Sequence, residues 1–128
     1  MRFQCDASSR TPIYRQLLEQ VREAVARGRL EPGERLPSVR QLSKQLVVNP
    51  NTIARAYTEL ERLGILNTRP GLGVFVAAPQ ASLTAKARRE RLGEFVDRML
   101  TEAVHLHYSA EEVAAIVAER AAKFQFNE

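Results

Sequence analysis

The chain has one cysteine, Cys5, and two histidines in 128 residues. A lone thiol forms no internal disulfide and no multi-cysteine zinc site, so a disulfide scaffold and structural zinc are excluded and redox chemistry is not expected. His105 and His107 are two positions apart; on a helix they point in different directions and make no metal pair. No apolar run approaches the roughly 18 residues needed to cross a bilayer. The opening Met1-Arg2-Phe3-Gln4-Cys5-Asp6 is not the apolar segment of a secretory signal, so the expected location is the cytoplasm, with no membrane partner. No Ser/His/Asp or Cys/His set comes with a motif around it, and Gly71-Leu72-Gly73 lacks the spacing of a dinucleotide fingerprint. Neither an enzyme nor a cofactor is expected.

With 45% hydrophobic and 27% charged residues, the chain can bury a core of about one domain with a small appendage. Its net charge of +4 is unevenly spread. Residues 1–78 carry twelve Lys/Arg against seven Asp/Glu, and residues 79–128 carry seven against eight. That asymmetry predicts an N-terminal module that meets a polyanion and a near-neutral C-terminal segment with another task.

The segment around Cys5 and Ser8-Ser9 reads as a loose lead-in. Thr11-Pro12 reads as an N-cap and first-turn proline, and Ile13, Leu17, Val21 and Val25 follow at helical spacing up to Gly28. Residues 29–36 form a connector with a Pro-Gly turn signal. Ser38 and Gln41 then make a capping box for a helix from Val39 to Leu46, and Asn49-Pro50 opens a third helix to about Leu63. Its expected buried stripe is Ile53, Ala56/Tyr57, Leu60 and Leu63, with Gly64 as the stop. After Gly64 the period shortens, and residues 65–69 and 74–77 read as two strands joined by Pro70-Gly71-Leu72-Gly73. The expected fold is mainly α with a small β-hairpin: a winged helix-turn-helix over residues 1–78.

Pro79-Gln80-Ala81-Ser82 is a hinge by composition. Beyond it, Leu92, Phe95/Val96, Met99, Ala103 and Leu106 form a stripe on a helix from about Leu83 to His107. Ser109 and Glu112 make a capping box for a last helix bearing Val113, Ile116, Val117 and Phe124. Two helices do not make a core, so residues 79–128 are expected to be a dimerisation arm whose stripe is covered by a second copy. Phe95, Met99 and Phe124 can be dimer core, or can line a cavity for an unidentified small-molecule effector.

A capped helix after a tight turn fits the major groove of double-stranded DNA. In its first half, Asn51 suits adenine, Thr52 a base edge or phosphate, and Arg55 guanine or phosphate, while Asn49 heads a helix N-terminus that attracts phosphate. Arg35, Ser38, Arg40 and Lys44 surround the second helix, which in this motif crosses the backbone. Gly71 and Gly73 let the hairpin tip approach a duplex, and Arg69 puts a cation beside it. The bland reading of each is a solvated face, an ion pair of Arg35 with Glu31 or Glu34, or a plain tight turn. The basic run Lys86-Ala87-Arg88-Arg89-Glu90-Arg91 reads as a solvated face.

These residues resemble the GntR family of bacterial transcriptional regulators. The resemblance rests on Pro12-Ile13-Tyr14-Arg15-Gln16-Leu17, then Gly33 through Leu42, Val48 through Tyr57, Leu60-Glu61, Gly64 and Gly71 through Val76, in order and spacing. It covers residues 11–77. The tail is too short for the large effector domain of common members or for an aminotransferase-like domain, and is similar in length to that of the YtrA subfamily. The resemblance implies a homodimeric repressor that binds an inverted repeat and controls an ABC-type transporter operon. It also implies DNA contacts at Arg40, Thr52 and Gly71, with Ser38, Asn51 and Arg55 as neighbours. The arginine that many members carry directly after the Thr-Val/Ile pair is Ala54 here, with Arg55 following. The alternative function is a winged-helix protein-interaction module that binds no DNA.

Overall fold

In the computed structural model, which describes residues 2–78 and 84–126, five helices and one antiparallel hairpin follow the order α1 (Ile13–Ala26), α2 (Val39–Leu46), α3 (Pro50–Arg62), β1 (Leu66–Arg69), β2 (Gly73–Val76), α4 (Ala85–His105), α5 (Ala110–Ala121). They group into two compact units that divide near residue 80.

In the first unit α3 packs on α1 and α2 and touches β1. The largest fully buried side chains are Leu17 and Val21 of α1, Leu42 of α2, Ile53 and Leu60 of α3, and Leu66 and Val76 of the hairpin. Helical spacing on three helices and one buried residue on each strand, Leu66 and its cross-ladder partner Val76, thus converge on one core. Leu63, expected in the buried stripe, is instead the C-cap residue of α3 and 37% exposed, because the chain turns away at Gly64 (φ 76°). Gly28, also at φ 76°, ends α1, and the Arg29 N–H reaches back to the Ala24 carbonyl at 2.8 Å.

The α2 cap is as expected: the Ser38 hydroxyl accepts from the Gln41 N–H at 3.0 Å, and the Gln41 carboxamide accepts from the Ser38 N–H at 2.9 Å. Asn49 caps α3 through its side-chain oxygen, which accepts from the Asn51 N–H at 2.8 Å. At α1 the expectation needs correction. Pro12 is the N-cap residue, its ψ of 147° keeps it outside the helix, and no side chain caps it. Thr11 instead offers its carbonyl to Gln16 Nε2 at 2.8 Å.

That glutamine belongs to a feature that overturns the expected loose lead-in. Gln16 and Gln20, one turn apart on α1, each bond to the extended chain as a second strand would. The Asp6 N–H donates to Gln16 Oε1 at 2.8 Å, and Gln16 Nε2 donates to the Asp6 carbonyl at 2.9 Å. The Gln4 N–H donates to Gln20 Oε1 at 2.9 Å, and Gln20 Nε2 donates back to the Gln4 carbonyl. The strap so formed seats Phe3 in the core. Burial pushes the Cys5 thiol pKa up.

The connector 29–36 is also more than a turn. The Gly33 N–H donates to the Val76 carbonyl, the Val76 N–H to the Glu34 carbonyl, and the Leu36 N–H to the Val74 carbonyl, each at 2.8 to 2.9 Å. With Arg35 bridged to Phe75, this segment lies as a short third strand along β2. In the hairpin itself Leu66 pairs with Val76 and Arg69 with Gly73.

In the second unit Thr84 caps α4, its hydroxyl accepting from the Ala87 N–H at 3.1 Å, and Ser109 with Glu112 forms the expected capping box on α5. The Ser109 bonds hold the Glu112 carboxyl below the usual carboxylate range. α4 has no buried residue and α5 has only Val113. No helix among the described residues is long and apolar enough to cross a membrane. The hinge at Pro79 to Ser82 and the expected helix start at Leu83 lie outside the described residues.

Candidate nucleic-acid interface

α3 buries Ile53, Ala56, Tyr57 and Leu60, and this fixes which side stays open. Asn51, Arg55, Thr58 and Arg62 are exposed at i, i+4, i+7 and i+11, so they form one polar strip along the helix. Thr52 and Glu59, at its edges, are half-buried. The strip is held in place from behind: the Tyr57 hydroxyl donates to the Pro37 carbonyl at 2.7 Å, at the entry to α2. Burial pushes the Tyr57 pKa up to about 12, so the phenol remains a donor across the physiological range.

Arg40 and Lys44 are exposed one turn apart on α2. Ser38 is half-buried, with its oxygen committed to the cap, which leaves the hydroxyl proton free to donate outward. Asn49 likewise commits its oxygen to Asn51 and keeps its NH₂ group for a partner. Between α2 and α3 the chain turns at Val47, an exposed residue at φ 53°. The turn is clamped by the Ser43 hydroxyl, which donates to the Val48 carbonyl at 2.6 Å.

Gly73, at the end of the hairpin turn, has Arg35 beside it and Arg69 as its partner across the ladder. Gly73 sits at φ 127°, a backbone conformation that favours glycine, and a Cβ there would come within 2.9 Å of Arg35 Nε and displace that side chain. Arg69, paired across the ladder with Gly73, stacks over the Phe75 ring with its guanidinium 4.6 Å from the centroid. Gly71 (φ 76°) makes the turn and leaves Leu72 exposed at the tip.

Sequence reading missed one member of this surface, Tyr14. The Arg55 guanidinium lies 3.8 Å from the centre of the Tyr14 ring, and that of Arg15 lies 5.8 Å away. The spacing of α1 gives no sign of it, because the contact joins the first turn of α1 to the middle of α3. The same cleft, about 310 Å³, is lined by Glu59 and Arg62, which pair at 2.9 Å. That pair holds the Glu59 carboxyl below the usual range, with the Arg55 and Arg15 charges adding to the effect.

In the second unit Leu92, Phe95, Val96, Met99, Leu106, Ile116 and Val117 are exposed, whereas Ala103 and Phe124 are half-buried and Val113 is buried within its own chain.

Residues 13–76 match the family model described as bacterial regulatory proteins, gntR family. The transcriptional repressor YtrA of Bacillus subtilis is 36% identical over 111 residues, which cover 87% of this chain and 83% of the relative. The solved structure of YtrA from Sulfolobus acidocaldarius, a GntR-family transcription factor, superposes with a TM-score of 0.63 at 32% identity over 77% of this chain and 97% of that one. The AraR DNA-binding domain, solved in complex with an operator, matches 60% of this chain and 99% of its own length at TM-score 0.54 and 26% identity. The chain is a YtrA-like member of the GntR family of bacterial transcriptional regulators, and its first unit is that family's winged-helix DNA-binding domain.

Proposed function

We propose that the protein is a cytoplasmic, homodimeric repressor that occupies an inverted-repeat operator and blocks transcription. Each subunit inserts α3 into the major groove of one half-site. Asn51, Thr52 and Arg55 meet base edges and nearby phosphates, with Asn49 at the head of the helix. Arg40, Lys44 and Ser38 grip the backbone from α2, and the wing brings Arg35, Arg69, Gly71 and Gly73 against the adjoining groove or phosphates. The arm of residues 79–128 joins two copies through α4 and α5 and sets the half-site separation. The repressor role is supported by the similarity to the Bacillus transcriptional repressor, and DNA as partner by the AraR–operator complex. An ABC-type transporter operon is the target that the YtrA resemblance implies.

The observation that carries this reading is the open polar strip on α3, backed by a buried stripe and flanked by exposed cations on α2 and on the wing. Its test is a salt titration on a duplex selected by the protein from a random pool and on a scrambled duplex. Arg40→Ala weakens both and lowers the salt slope by about one. Asn51→Ala loses about 1–3 kcal/mol of discrimination and leaves the slope unchanged. Identical behaviour of the two variants removes the assigned roles.

A further inference from the structure

The spacing of α3 makes Arg55 and Glu59 natural partners, since i and i+4 is the distance at which helical arginine and glutamate pair. They do not pair here. Glu59 Oε2 accepts from Arg62 Nη2 at 2.9 Å and from Nε at 3.2 Å, while Arg55 lies over Tyr14 at 3.8 Å from the ring centre. Tyr14 is itself partly buried against the core, in the first turn of a helix packed on α3, so its ring is a fixed platform. A cation stacked on an aromatic face and an ion pair on a helix surface are of comparable strength at exposed sites. The choice between them is therefore made by the presence of the ring. A guanidinium lying on a ring keeps its N–H edge free, the edge that binds a phosphate or guanine with two parallel bonds. One drawn onto Glu59 spends that edge inside its own helix.

We propose that Tyr14 is a positioning residue for DNA binding: its ring stacks Arg55, keeps that guanidinium off Glu59, and so presents it to the duplex. The proposal rests on the reading of α3 as the recognition helix. It adds a residue of α1 that touches no base, and it assigns the work to the ring face, with no part for the hydroxyl.

The test uses the full-length chain and a labelled duplex selected from a random pool. Arg55→Ala sets the scale, with a loss of about tenfold expected for one guanidinium contact. Tyr14→Leu, which keeps an apolar side chain against the core, is expected to lose about half of that effect on a logarithmic scale, and Tyr14→Phe to bind as the parent does. Two combinations decide the mechanism. Tyr14→Leu with Arg55→Ala is no weaker than Arg55→Ala alone, since the ring acts only through the guanidinium. Tyr14→Leu with Glu59→Gln recovers binding, since the competing carboxylate is gone.

A readout free of DNA accompanies these. The ring current shifts the Arg55 side-chain proton resonances in the parent and in Tyr14→Phe, and not in Tyr14→Leu. Thermal melting checks each fold, and Tyr14→Met replaces the leucine variant should that one melt low. Additive losses for Tyr14→Leu and Arg55→Ala overturn the proposal, as does a Tyr14→Phe variant as weak as Tyr14→Leu, which makes the hydroxyl a direct contact. If Arg55→Ala binds as the parent does, the assignment of Arg55 to the duplex fails first and takes the positioning role with it. A weak Arg55→Ala beside a parent-like Tyr14→Leu sinks the positioning role alone.

Discussion

The two units have similar kinds of apolar side chains and opposite fates for them. The winged helix buries Leu17, Val21, Leu42, Ile53 and Leu60 completely, whereas the 21-residue α4 buries none of its side chains and α5 only Val113. The first unit has a second and third layer to close over each stripe. α4 and α5 are not closely packed on each other and leave Leu92 at 65% and Leu106 at 59% exposure. Leu92, Val96, Met99, Ala103 and Leu106 are spaced 4-3-4-3, the heptad step of helices that cover one another. A contiguous apolar seam of this kind, on a protein otherwise able to bury a core, is the feature on which the proposed dimer contact rests. The comparison teaches that one unit closes a core of its own, while the other leaves its apolar seam open, as the proposed dimer arm requires.

The most drastic way to break the comparison is to remove the second unit's seam. Leu92→Glu with Met99→Glu, or deletion of residues 80–128, is expected to leave a folded, monomeric winged helix. Operator affinity then falls by about 10²–10⁴, the gain that joining two half-site binders provides. Sedimentation gives the mass, and titration of the two-half-site duplex gives the affinity. A truncated chain that still sediments as a dimer ends the assignment of the arm.

Next in size comes a cavity in each unit. Leu60→Ala, at a fully buried site, costs about 2–5 kcal/mol of unfolding free energy at any protein concentration. Ile116→Ala, on an exposed position of α5, costs little in the isolated subunit and appears only as a shift in the concentration at which subunits separate. Urea melts at two protein concentrations separate the cases. A concentration-independent loss for Ile116→Ala would mean that the arm has a core of its own.

The strap sharpens the comparison from the other side, because it extends the first unit by hydrogen bonds where apolar area is short. Gln20→Ala removes both bonds to Gln4 and leaves its main-chain groups to water, at an expected cost of about 1–2 kcal/mol. Amide exchange reports it directly, with faster exchange at Gln4 and no change at Leu42.

The contrast between caps and straps also explains what the sequence could disclose. Ser38 with Gln41, Asn49 before Pro50, Ser109 with Glu112, and the stops at Gly28 and Gly64 act over a few residues, so type and spacing reveal them. The buried stripes of α1 and α3 were legible because burial has the period of the helix. The strap joins residues 10 and 16 positions apart through side-chain amides, and the strand at 33–36 forms by pairing with β2 some forty residues on. Neither leaves a period. Likewise the site's cations and polar strip could be named from α2 and α3 alone, but the stacking of Arg55 on Tyr14 depends on how α1 lies across α3. Leu63 fell on the right side of a helical wheel and still stayed exposed, because a wheel does not show where the chain turns off.

The smallest effect lies at a point where the packed unit, like the arm, leaves an apolar side chain in the open. Val47 is 90% exposed, has φ 53° and ψ 52°, and is β-branched, which makes the left-handed conformation costly. Nothing on its side chain repays that strain, since the turn is held by Ser43 and Val48. Val47→Asn keeps a side chain that tolerates this conformation and is expected to stabilise the unit by about 1 kcal/mol. Val47→Gly gains less, because glycine also loosens the unfolded chain. Both are read as rises in melting temperature with duplex affinity unchanged. A variant that melts higher but binds more weakly would put the Val47 side chain at the duplex and give the strained turn between α2 and α3 a part in recognition.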